Sequence, residues 1–345
     1  MEFIAQEIST QRAQLLTRLA AERSHMLLKL EGLDEKTLTS ELIDGEWTAA
    51  ILLAHLAYWE AFAADRLGKL ADERLDDIQP IGAGDNTLET RNATMPDLFA
   101  RLNFDEANAM LQKERRGFLL ALGRITDETL EREVRLRPGW RARPRTWAAW
   151  PHRHDAEHAA SIEHWRKDRP PLDPSRRVIH RALLRPLLGL AQQEFLTLAA
   201  LLPEEEWESR PLEGEWTLKE IIGHLVDYER MGVVALKAVA AEREPVYEDE
   251  LADFDVFNNS RAPAWAEMSW NEVWAHYRAT RRALLLIAET LPDDALARPF
   301  AAPWPAITTA CGFLLDMADH QREHADALRR AFALPPLPRR LRHAG

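Results

Sequence analysis

Six histidines fall into two sets that share one order and nearly one spacing. Gly45-Glu46-Trp47-Thr48 is followed by His55-Leu56, and Gly214-Glu215-Trp216-Thr217 by His224-Leu225, 169 residues later at every position. Each copy then carries a His-x-x-Glu-His pair, His154 with His158 and His320 with His324. Residues four apart on a helix share a face, so each pair can offer two ring nitrogens to one ion. His55 and His224, flanked by Leu52, Leu53, Leu56 and by Ile221, Ile222, Leu225, point inward and supply a third. Helical bundles assemble metal sites in this way, from side chains on facing helices. Neutral imidazoles suit zinc, nickel, iron or cobalt, whereas magnesium and calcium prefer oxygen. Three protein ligands leave positions open for water or substrate, the arrangement of a catalytic rather than a structural site. The expected metal ligands are therefore His55, His154, His158, His224, His320 and His324. No residue is assigned a catalytic role.

His-x-x-Glu-His is also an inverted zinc-protease signature in which the glutamate is the general base, here Glu157 or Glu323. Adjacent helix positions diverge by about 100°, so these glutamates are free to face solvent, and nothing suggests a separate cleft domain. The peptidase reading is not favoured. Glu60 and Glu229, five residues after the second-helix histidines, rotate away from the ligand face and are expected to be exposed or interdomain. Trp47 and Trp216 are read as plugs at one bundle end, and Asn92 and Asn258 as caps of a local turn. Cys311 is read as a small buried residue. His25, His152, His164, His180, His276 and His343 have no match in the other copy and are read as surface or structural.

The elements that must position these residues follow from caps and periodicity. The first helix runs roughly from Glu2 to Leu30, with leucines at helical spacing. The second begins after Thr48 or Thr217, where Thr217 with Glu220 makes a capping box. The third begins after Asn103, with Glu106 three residues on, or after Ser269, with Glu272. The fourth carries the paired histidines, roughly Thr146 to Arg166 and Thr308 to Ala333, with Pro151 inside the first as a kink or true start. From the third helix onward the repeat offset is 166, matching Arg115-Arg116 to Arg281-Arg282 and Asp127 to Asp293. The slip places three extra residues in the loop between helices two and three, where insertions belong. Strand signals are nearly absent. The expected fold is all-α, two tandem four-helix bundles from an internal duplication, with residues 1–168 and 176–345 as bundles and 169–175 as a Pro-rich linker.

Composition sets outer limits. The 345 residues allow two cores, and 46% hydrophobic with 29% charged residues describe a globular chain. The net charge of −12 argues against nucleic acid as a partner. A basic strip from Arg132 to Arg145 reads as a solvated connection. No apolar run is long enough to cross a bilayer, no signal peptide is expected, and one cysteine fits a reducing, cytoplasmic setting.

Trp-Thr, then a second-helix histidine, then His-x-x-x-His resembles the DinB/YfiT-like metalloenzyme superfamily over nearly the whole chain. The resemblance implies bundles of up-down-down-up topology, each holding a zinc-, nickel- or iron-type ion on the three histidines named above. It also implies a place beside transferases and isomerases that use small thiols such as mycothiol or bacillithiol, and beside a domain of an ergothioneine-synthesis enzyme. The expected function is a divalent metal-dependent enzyme that transfers a low-molecular-weight thiol to an electrophile or hydrolyses a small substrate. The alternative is a non-catalytic metal-binding or stress-response protein. Members pair as homodimers, so the resemblance implies a monomeric pseudo-dimer with a small-molecule substrate and neither membrane nor nucleic-acid partner.

Overall fold

A computed structural model describes residues 8–79, 87–137, 140–172, 177–247 and 253–337. The expected helix start at Glu2, the linker residues Asp173 to Ser175 and His343 lie outside them. Among the described residues nine long helices carry the fold: α1 (Thr10–Leu28), α2 (Ala49–Ala71), α3 (Phe104–Gly123), α4 (Pro144–Trp165), α5 (Leu184–Ala199), α6 (Leu218–Ala240), α7 (Phe254–Glu267), α8 (Trp270–Thr290) and α9 (Ala310–Ala331). Their starts obey the expected chemistry. Thr48 and Thr217 cap α2 and α6 by accepting from Ile51 N and Glu220 N, and Asn103 and Ser269 form reciprocal capping boxes with Glu106 and Glu272. The helix α4 starts at Pro144, where a missing N–H matters least, and runs on through Pro151.

The chain divides into two compact units, His25–Pro170 and Met1–Ser24 with Pro171–Gly345. The division departs from the boundaries that the repeat suggests, because residues 1–24 group with the second copy. Within His25–Pro170, α2 packs along α3 and α4. It is Ala- and Leu-rich and buried on nearly all sides, as a central helix must be. In the other unit α6 occupies the same place, packing on α8, α7 and α9, while α5 packs along α9. Its core gathers Phe195, Leu218, Ile221, Ile222, Leu225, Val273 and Leu328. Both central helices end on a non-glycine residue in the left-handed region, Glu73 at φ 58° and Glu242 at φ 56°, so even the exit turn is duplicated.

Two features exceed the sequence expectation. Two small antiparallel hairpins, Val134–Arg137 with Trp140–Ala142 and Pro299–Ala301 with Ile307–Thr309, precede α4 and α9. The basic strip runs through the first hairpin into α4, and on the surface Arg141 pairs with Glu133 at 2.9 Å and Arg145 with Glu131 at 2.6 Å. Short helices Leu88–Ala93 and Met95–Phe99 lie between α2 and α3, at the chain position that α7 takes in the second copy. No helix among the described residues is long and apolar enough to cross a membrane.

Candidate metal centre

In each copy the central helix and the last helix bring the three expected histidines together. His154 Nε2 lies 2.8 Å from His55 Nε2 and 3.0 Å from His158 Nε2. In the second copy His320 Nε2 lies 2.8 Å from His224 Nε2 and 3.1 Å from His324 Nε2. Burial leaves these rings little water: His55, His154, His158, His224 and His324 are buried, and His320 is half-buried. Desolvation, with the neighbouring histidine adding to it, pulls His55 and His224 down to about 3 and His320 well below 6.5. These imidazoles are neutral at physiological pH, the form that ligates metal.

A carboxylate orients one ring in each set. His158 Nδ1 is hydrogen-bonded to Asp44, and His324 Nδ1 to Glu213 Oε2 at 2.6 Å. A carboxylate accepts only, so the proton sits on Nδ1 and the Nε2 lone pair faces the other two rings. The central nitrogen, His154 or His320, can give at most one proton to its two neighbours. At least one of the two short contacts therefore lacks a hydrogen bond of its own unless a cation takes all three nitrogens. Two nitrogens each about 2.1 Å from one cation, at right angles, lie about 3.0 Å apart, close to the observed separations. His55 Nδ1 has no hydrogen-bond partner, and its ring lies against Trp47. The donor set and its spacing fit a divalent transition ion.

Asp44 and Glu213 were not singled out in the sequence, although they occupy equivalent positions one residue before the repeated glycine. A tight turn puts them in place. Trp47 N donates to Asp44 O at 3.0 Å and Trp216 N to Glu213 O at 3.0 Å, with Gly45 at φ 59° and Gly214 at φ 58°. Positive φ at the second turn position alone marks a II′ geometry that glycine adopts without strain.

Three pairs of side chains depart from the expectation. Trp47 does not merely plug the bundle: its ring centroid is 4.2 Å from that of His55 and 5.7 Å from that of His158, and Trp216 sits 5.0 Å from His224, so both wall the centre. Glu60 and Glu229 are not exposed. They are 2% accessible, and Glu60 Oε1 accepts from Arg115 Nη1 at 2.7 Å while Glu229 pairs with Arg281. Five helix positions turn about 140° from the ligand face, which here means into α3 or α8 and not into water. Burial pushes Glu229 up to about 7 against the pull of Arg281. The two arginines were visible as a matched pair in the repeat, but not as partners of the glutamates. Asn92 and Asn258 cap no turn; Asn92 Oδ1 accepts from Trp59 Nε1 at 3.0 Å and Asn258 Oδ1 from Tyr228 OH at 3.1 Å.

Trp59 and Tyr228, equivalent positions four residues beyond the helix histidines, were missed outright. Their i,i+4 spacing places them over the same face. Tyr228 has ring centroids 4.6 Å from His224 and 4.7 Å from His320, and burial raises its phenol to about 12. Glu157 and Glu323 face solvent, which removes the base that a peptidase would need. Cys311 is buried against Ile179, as expected of a packing residue. His25, His152, His164, His180 and His276 belong to neither cluster.

No curated protein and no solved structure matches the chain. The sequence model of one family matches it twice, over residues 18–162 and 187–328, which together span most of its length and include all six clustered histidines. A duplicated match of this extent, centred on two histidine triads of one design, makes the chain a member of the DinB superfamily.

Proposed function

We propose that the chain is a divalent metal-dependent enzyme that transfers a low-molecular-weight thiol to a small electrophile. The observation that carries this reading is the convergence of three imidazole nitrogens in each copy, with a carboxylate hydrogen-bonded to one ring and no fourth protein ligand among the described residues. A zinc-, nickel- or iron-type ion held there would supply a positive charge that lowers the pKa of a thiol or a water from its usual value.

The chain's own residues do the rest. Asp44 and Glu213 keep the Nδ1 proton of His158 and His324 in place, so that Nε2 is always available. Trp47 and Trp216 cover one side of each cluster and exclude water from the imidazoles. Tyr228, held by Asn258, brings a hydroxyl to the second pocket where the first has the Trp59 indole, and Phe254 and Phe257 extend the aromatic wall around it. Such walls favour an apolar electrophile. A reducing cytosol, which suits a single buried cysteine, would provide the thiol.

Turnover of monochlorobimane by the metal-loaded chain with a panel of small thiols tests this reading. Activity is expected with at least one thiol, and loss of at least 100-fold in the His154→Ala/His320→Ala variant with its helical signal unchanged. Full turnover in that variant would reject the proposal. Metal binding with no turnover by any thiol would favour sequestration instead.

A further inference from the structure

A second kind of site lies away from the histidines, in a groove between α5 and α8 of about 470 Å³. Arg185 and Gln192 line it from α5, and Arg278, Arg281 and Arg282 from α8. Arg278 and Arg282 are exposed and have no carboxylate partner among the described residues, while Arg185 pairs with Glu289 at the groove's edge. Arg281 is 2% accessible; its Nη2 meets Glu229 and Gln321, but Nε and Nη1 have no hydrogen-bond partner. Buried guanidinium donors without acceptors are costly and uncommon.

Like charges three and four residues apart on one helix face repel, so packing gains nothing from placing Arg278 and Arg282 beside Arg281. Arg281 and Arg282 recur in the first copy as Arg115 and Arg116, but the bundle does not require the full cluster: the positions of Arg278 and Arg185 hold Gln112 and Leu16 there. Leu285 and Leu286 add an apolar stretch of wall, and the lining ends at Glu289, which is paired with Arg185. The cluster stands on a chain whose net charge is −12, where an anion is otherwise repelled.

We infer that this groove binds a small phosphorylated molecule, its phosphate held by Arg278, Arg282 and the free donors of Arg281, its apolar part against Leu285 and Leu286. Two exposed guanidiniums one turn apart call for an anion of more than one charge, which a phosphate monoester carries near neutral pH. The site owes nothing to the metal reading.

Calorimetric titration of the metal-loaded full chain with inorganic phosphate and with pyrophosphate, at constant ionic strength, tests it. One saturable site per chain is expected, with pyrophosphate affinity at least tenfold weaker in Arg278→Gln/Arg282→Gln. The same charge change at the entry to the first hairpin, Arg132→Gln/Arg135→Gln, should leave affinity unchanged. So should His320→Ala, whose loss of binding would instead place the anion on the metal and overturn the inference. It is equally overturned by absence of saturable binding, by equal affinity in both arginine variants, or by citrate binding as tightly as pyrophosphate.

Discussion

A carboxylate that holds a ligand's far nitrogen acts on the metal without touching it. Asp44→Asn removes the charge that keeps the His158 proton on Nδ1, and metal affinity at the first centre should fall about 10- to 100-fold. Competition against a chelator measures it, and an unchanged affinity would leave Asp44 a mere turn residue. Titration of the buried rings gives a second prediction, for the metal-free chain. His55 and His224 stay neutral when folded until about pH 3, but protonate near 6.5 when unfolded. Their stabilisation is complete above 6.5 and is lost as pH falls towards 3, at about 1.4 kcal/mol per pH unit for each. His320 adds in the same direction. Glu229 acts oppositely: folded at about 7 against 4.5, it stabilises below 4.5 and loses that contribution as pH rises through 7. Between 4.5 and 6.5 three histidines outweigh one carboxyl, so the urea midpoint should drop from pH 7 to pH 5. A midpoint that holds steady contradicts the burial of neutral rings.

Elements set the angle at which these side chains meet. The turn before α2 depends on Gly45, where an added Cβ would touch nothing within 4 Å, so Gly45→Ala tests the backbone alone. The left-handed conformation should cost about 1–2 kcal/mol in a chemical denaturation curve, and the displaced Asp44 should weaken metal retention with it. A variant as stable as the parent would show that the turn relaxes freely. The buried Glu60–Arg115 pair ties α2 to α3 at 2.7 Å, with Asp155 of α4 at 3.9 Å from the same guanidinium. Glu60→Ala removes the buried carboxylate that this guanidinium bonds and should destabilise by about 3–5 kcal/mol. A loss below 1 kcal/mol, read from urea unfolding, would mean that water reaches the pair.

For the molecule as a whole, duplication implies two centres that load separately. Elemental analysis should count two ions per chain, and one in either His154→Ala or His320→Ala. Metal at 100 times its dissociation constant should stabilise by about 2.7 kcal/mol for each occupied site, seen as a rise in thermal midpoint that the double variant lacks. A single ion in the parent chain would mean that one triad is a relic.

Much of this was legible without coordinates because it repeats along the chain. The duplicated Trp-Thr and His-x-x-Glu-His spacings, the caps at Thr48, Thr217, Asn103 and Ser269, and the two histidine clusters follow from helical periodicity, a local property. What tertiary structure alone decided were contacts between residues distant in sequence. Asp44 finds His158, Asn92 finds Trp59, and Glu60 finds Arg115 across more than thirty positions each. A helical wheel shows that Glu60 turns from the histidines but not whether water or α3 lies on that side. Only packing determines the neighbour, and the neighbour determines whether a charge is solvated, fully paired or, like Arg281, paired with some donors unmet.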